Sequence, residues 1–208
     1  FMQESKLLTG SITKSLLIFA LPMIAGNLLQ QCYNIADTII VGRFLGADAL
    51  AAVGSAYTLM TFLTSIILGL CMGSGASFSI SYGKQDFDRM KSGIFQSFVF
   101  IGAVTVVLNV AVFAGIRGII WFLRVPGSIT GLMEDYLLVI FAGIVGTFLY
   151  NYFACLLRSI GNSRVPLIFL AVSAVMNIVL DLLFVVVFYW GVAGAAFATI
   201  LSQYVSGV

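Results

Sequence analysis

Charged residues divide this chain into long apolar runs. Lys14 to Arg43 encloses the first, with Asp37 as its single interior charge. Nothing charged lies between Asp48 and Lys84, between Lys91 and Arg117, or between Asp135 and Arg158. After Arg164 the only remaining charge is Asp181, and a turn at Gly191, just past Tyr189-Trp190, splits this last stretch in two. A helix needs about 20 apolar residues to cross a bilayer. The pattern therefore predicts six spans, at 15–41, 52–80, 93–116, 136–157, 166–189 and 192–208. None of these runs alternates between polar and apolar positions as a spanning strand does. The expected fold class is an all-α integral membrane protein, a bundle of six transmembrane helices.

Composition agrees and removes other chemistry. Of 208 residues, 61% are hydrophobic and 9% charged, whereas soluble domains run nearer 25% charged. Histidine is absent, which argues against the usual zinc sites, Ser-His-Asp triads and His-activated cysteines. A net charge of +2 gives no basic footprint for nucleic acid. Cys32, Cys71 and Cys155 sit within apolar runs without CxxC spacing and read as small packing residues. The first apolar run outlasts a signal peptide and lacks a small-residue cleavage site, so it reads as a true span. Phe1 ahead of Met2, and an end at Ser206-Gly207-Val208 without a polar tail, read as a truncated sequence.

Basic residues orient the spans. Lys6, Lys14, Lys84, Arg89, Lys91, Arg158 and Arg164 fall on one side, and only Arg43, Arg117 and Arg124 on the other. That bias puts the N-terminus in the cytoplasm and Tyr189-Trp190 at the outer boundary.

Polar residues inside the spans are the candidate chemistry, because each carries an insertion cost. Asp37 precedes Arg43 by about 9 Å of helix, and Asp181 precedes Tyr189 by about 12 Å. Thr199, on span six, lies about 12 Å in from the same outer side. Three polar groups on three helices thus share a depth. Asn177 and Asp181 form an i, i+4 pair, and Ala195, Thr199 and Gln203 repeat that spacing. Asn27, Gln30, Asn34 and Asp37 form a polar stripe that should face a wet cavity or another helix. For Asn27, Gln30 and Gln203, interhelical packing and cavity lining both remain open. Pro22 removes one backbone bond and marks a place where span one can bend. The pairs Gly42/Gly46 and Gly69/Gly73 have GxxxG spacing, which close packing or a tight turn explains without a function.

Several stretches together resemble multidrug and toxic compound extrusion (MATE) transporters. They are Asp37-Thr-Ile-Ile-Val-Gly-Arg-Phe-Leu-Gly-Ala-Asp-Ala-Leu-Ala-Ala-Val-Gly54 with Pro22 before it, Tyr82-Gly83-Lys84-Gln85-Asp86 and Arg158-Ser-Ile-Gly-Asn-Ser-Arg-Val-Pro166. Asn177-Ile-Val-Leu-Asp181 and Gly191-Val-Ala-Gly-Ala-Ala-Phe-Ala-Thr199 complete the set. The resemblance implies a bacterial inner-membrane antiporter of twelve helices in two six-helix lobes around a central cavity. Such proteins export organic, often cationic, compounds in exchange for H⁺ or Na⁺. This chain would be the N-terminal lobe, residues 1–208, with the C-terminal lobe as its missing partner. In the DinF-like branch the coupling-ion residues correspond here to Asp37, Asn177, Asp181 and Thr199, with the Ala195 carbonyl as a weaker candidate. A Na⁺ held by the first four, or a proton shared by the carboxyls, is the only cofactor expected. Two carboxylates in a low-dielectric pocket cannot both ionise cheaply, and Na⁺ would take their oxygens with the amide and hydroxyl. Tyr33, Met60 and Phe153 join Asn27, Gln30 and Asn34 as candidate cavity-lining residues for small organic substrates. The lipid bilayer is the remaining partner.

Three rival readings compete. A lipid-linked oligosaccharide flippase of the same superfamily would hold pyrophosphate with cavity cations, and no Lys or Arg falls inside a predicted span. An intramembrane aspartyl protease needs Tyr-Asp and Gly-x-Gly-Asp, but Asp37 follows Ala36 and Asp181 follows Val179-Leu180. A non-transporting lobe or fragment is the third. No enzymatic activity is expected.

Overall fold

The computed structural model of the protein describes residues 12–207; Phe1-Met2, Lys6 and Val208, used above for the chain ends and the charge bias, lie outside them. Every regular element among the described residues is helical: α1 (Ile12–Phe44), α2 (Ala47–Gly83), α3 (Phe87–Phe122), α4 (Gly127–Ala142), α5 (Ile144–Ser159), α6 (Arg164–Asp181) and α7 (Gly191–Gly207). A π-helical segment, Leu182–Val187, continues α6. In hydrocarbon each backbone N–H and C=O must be satisfied within the protein, and helices do this locally.

Four helices among the described residues are long and apolar enough to cross a membrane: α1, α2, α3 and α6 with its π extension. Together α4 and α5 meet the same test as one span bent by 49°, which makes five. The expected count of six is not reached by this measure, because α7 has only 17 residues. Two boundaries also move. The expected span at 136–157 begins earlier, at Gly127, and breaks at Gly143. The last turns of the expected 166–189 span are π rather than α.

The break has a local cause and a local remedy. The amide of Asn109 on α3 donates to the Phe141 carbonyl at 2.8 Å, satisfying a group beside the interrupted ladder. Gly143 sits at the bend, where an added Cβ would run into the Ile200 side chain on α7. Pro22, by contrast, lies within a helix that is continuous from Ile12 to Phe44. Gly46, with φ 89°, makes the tight turn between α1 and α2, while Cβ atoms at Gly69 and Gly73 would meet open space.

Packing follows from where small and large residues fall. Helix α2 packs on α3, α4 and α5, and α7 on α4, α5 and α6. The apolar core is built from residues such as Ile67, Ile101, Met133, Leu137, Phe141 and Tyr152. Helix α1 leans chiefly on α6 and leaves Leu16, Leu17, Leu21, Ile24, Leu28, Ile35 and Ile39 exposed. Phe95, Phe100, Val107 and Trp121 are exposed on α3, as befits a surface solvated by lipid. At one end of the bundle, Trp190 stacks on Phe184 with ring centroids 5.0 Å apart.

The Gly143 notch gives a direct test. Gly143→Ala should destabilise the detergent-purified chain by about 1–3 kcal/mol through overpacking. Adding Ile200→Ala should recover much of that loss, and Gly69→Ala should leave the thermal midpoint unchanged. Thermal unfolding followed by circular dichroism measures all three.

Candidate functional site

A cavity of about 260 Å³ opens between α1, α2, α5, α6 and α7. Helix α1 contributes Asn27, Gln30, Tyr33 and Asn34 to its wall, and Met60 contributes from α2. Phe153, expected beside them, does not line it. That side chain points to the far face of α5, where it is 42% exposed and packs against Phe98 and Tyr152. The polar residues at i, i+3 and i+4 in the other walls are also cavity lining: Tyr57, Thr61, Thr64 and Ser65 on α2, and Thr147, Tyr150, Asn151 and Arg158 on α5. Sequence reasoning singled out none of these polar groups for the cavity, although Thr147, Asn151 and Arg158 show helical spacing. Arg158 falls just past the expected span 136–157, yet α5 extends to Ser159 and Arg158 is part of the wall.

Polar ties hold the walls in place. Thr147 on α5 hydrogen-bonds the Gln203 carboxamide on α7, so Gln203 serves packing and lining together. Ser173 donates to the Ser202 carbonyl at 2.8 Å and Ser206 to the Phe169 carbonyl at 2.9 Å, linking α6 to α7. Hydroxyls and amides that cross between helices in this way are the usual cohesive contacts inside a bilayer.

Beside the cavity, the residues picked by depth come together. Asn177 is 2% exposed and Asp181 fully buried. The Asn177 amide reaches the Thr199 hydroxyl at 3.4 Å, and that hydroxyl donates to the Ala195 carbonyl at 3.1 Å. The carboxyls of Asp37 and Asp181 lie within electrostatic reach of one another across the contact between α1 and α6. No protein donor bonds Asp37 Oδ1, Asn177 Oδ1 or either carboxyl oxygen of Asp181, although all four are buried. Asn177 and Thr199 also line the cavity, whereas Asp37 and Asp181 do not. Two neighbours escaped the sequence reading. Tyr136 on α4, buried at 4% exposure, lies within electrostatic reach of both carboxyls. The π segment starts directly after Asp181, and π turns are frequent at functional sites.

This donor set fits a small hard cation. Carboxylate, amide and hydroxyl oxygens are what such ions take, and no cluster of three or more His, Cys, Asp or Glu that would suit a transition metal occurs among the described residues.

The MatE family model matches residues 22–183. The chain belongs to the MatE family. Among relatives, it is 37% identical to the probable multidrug resistance protein YpnP of Bacillus subtilis, over 93% of this chain and 44% of that protein. It is 29% identical to the probable multidrug resistance protein NorM of Thermotoga maritima, over 93% and 42% respectively. A MATE protein solved in a bent conformation superposes with a TM-score of 0.91 at 27% identity, covering 99% of this chain and 46% of that one. A Pyrococcus furiosus transporter of the MOP superfamily, described as having a binding pocket of reversed polarity that suggests a different function, superposes with a TM-score of 0.92 at 27% identity, covering 99% and 45%. The chain thus spans less than half the length of these MatE relatives, and with its apolar helices it is a multi-pass membrane protein.

A buried carboxyl without a protein donor is destabilising, at about 1–3 kcal/mol for an unsatisfied polar group. Asp181→Leu is therefore expected to raise the thermal midpoint of the detergent-purified chain in sodium-free buffer. An unchanged or lowered midpoint would contradict the burial argument.

Proposed function

We propose that the chain forms the N-terminal lobe, residues 1–208, of a bacterial inner-membrane MATE antiporter with a cytoplasmic N-terminus. It would export organic compounds in exchange for H⁺ or Na⁺, together with a second lobe supplied elsewhere. The observation that supports this reading best is the identity of the unbonded buried oxygens. Among the described residues all of them belong to Asp37, Asn177 and Asp181, and Thr199 stands beside Asn177.

The chemistry follows from that set. Without a cation, a proton on one carboxyl lets the facing pair share it and avoids two adjacent negative charges. A Na⁺ would displace the proton and take oxygens from Asp37, Asp181, Asn177 and Thr199, with the Ala195 carbonyl in reach once the Thr199 hydroxyl turns. Either ion draws α1 toward α6 and α7. Because α1 also provides Asn27, Gln30, Tyr33 and Asn34 to the cavity, its movement changes the substrate pocket. Pro22 leaves one rung of α1 unmade and gives the helix a place to yield. Coupling requires the ion and the substrate to favour different positions of α1.

A flippase for lipid-linked oligosaccharides would need several cavity cations to hold pyrophosphate. Arg158 is the one charged residue in the described wall, which favours export of smaller compounds.

Proton release on Na⁺ addition to the monodisperse chain in weakly buffered detergent tests the site. Saturable release is expected, and Asp181→Asn should lose it. In a transporter containing both lobes, the same substitution should abolish ion-driven export, measured as accumulation of a fluorescent substrate in cells. Full export at normal expression would overturn the assignment.

A further inference from the structure

Among the described residues that line the cavity, Arg158 is the one charged side chain, and Asp37 and Asp181 are not part of the lining. Arg158 enters near the C-terminal end of α5, at the end of the bundle where Ser79 bonds the Ser159 carbonyl at 3.0 Å. Asp181 stands 17 residues, about 26 Å of helix, beyond the start of α6, toward the opposite end. The two sites are therefore separate.

Arg158 Nε is buried and bonded to no protein acceptor, and Arg158 makes no ion pair among the described residues. The ion pair found among the described residues, Arg117 with Glu134 at 3.3 Å, lies elsewhere. A buried guanidinium edge without an acceptor is costly, and a planar oxyanion satisfies it through two parallel N–H bonds. Asn151 and Tyr150, about two turns back along α5, line the same wall. They give an amide and a phenol alongside which the body of a ligand can lie.

We propose that Arg158 forms an anion subsite at this end of the cavity, so that the preferred substrates carry a carboxylate or phosphate group on an apolar body. This bears on the substrate class of the proposed transporter and rests on that reading only in taking the cavity as the substrate path. Nothing in the described wall offers a bare organic cation a countercharge. An organic acid or a zwitterion finds one at Arg158 and neutral polar groups along the rest of its length.

Three probes of equal size separate the possibilities: 1-naphthyl phosphate, 1-naphthylmethylamine and 1-naphthalenemethanol. Their binding to the monodisperse chain is measured by equilibrium dialysis at neutral pH and fixed sodium concentration. The phosphate is expected to bind at least tenfold more tightly than the amine or the alcohol. Arg158→Gln should weaken it about tenfold or more, and Arg158→Lys should keep part of the preference. The amine and alcohol should bind both variants as they bind the unaltered chain, which also reports that the variants fold. Preference for the amine, absence of phosphate binding, or phosphate binding indifferent to Arg158→Gln would each overturn the subsite. Repeating the measurement in micelles doped with phosphatidylglycerol or phosphatidylcholine identifies the source of the anion. Competition by the anionic lipid alone assigns the subsite to a headgroup, and no competition assigns it to a soluble solute. Sodium-induced proton release is read independently, so ion coupling and the anion subsite can fail separately.

Discussion

Helix α1 leans on the rest of the bundle chiefly through α6, and at that seam two carboxyls meet. Asp37 and Asp181 lie within electrostatic reach of each other, and no protein donor bonds either carboxyl oxygen of Asp181. Under the proposed coupling, whatever neutralises the pair also sets how closely α1 sits against α6 at this point. The rest of the arrangement depends on this electrostatic constraint. One helix both carries half of the charge pair and presents its polar stripe to the cavity, so charge balance on one side and cavity shape on the other are properties of the same rigid body.

The remainder of the structure holds the other half of the seam still. Helix α6 is fastened to α7 by Ser173 on the Ser202 carbonyl and Ser206 on the Phe169 carbonyl. Helix α7 is fastened to α5 by Thr147 and Gln203. Tyr152 in turn joins α5 to α3 through the Ile94 carbonyl at 2.6 Å. Polar groups that would weaken a soluble core are here the interhelical adhesive, since apolar contact between helices gains little over contact with lipid tails. Helix α1 rests chiefly on α6, where Ser163 bonds the Phe19 carbonyl at 3.1 Å, and in the proposed coupling it is the element that shifts against the others.

Much of this was legible in the sequence for a physical reason. Charges are too costly within a bilayer to be placed casually, so Asp37 and Asp181 announced themselves, and common depth brought Thr199 in with them. The stripe on α1 was equally plain because Asn27, Gln30 and Asn34 interrupt a strongly apolar run. The walls on α2 and α5 were less visible, since Thr and Ser are tolerated almost anywhere in a membrane helix and carry little signal singly. Arg158 fell outside the expected span because its charge coincides with the end of an apolar run, so its place in the wall was not legible. Phe153 was misplaced because phenylalanine suits lipid, core and cavity alike. The elbow at Gly143 and the π segment after Asp181 leave no mark in hydropathy: one depends on the partner side chain Ile200, the other on a hydrogen-bond shift of a single residue.

The meeting of Gly143 and Ile200 has a mechanical consequence. Ile200 follows Thr199 directly in the chain, and its side chain fills the notch that the missing Cβ leaves in the bend between α4 and α5. The notch therefore acts as a register mark. Sliding α7 along its axis would have to lift Ile200 out of this seat, so the position of Thr199 is keyed to the bend between α4 and α5.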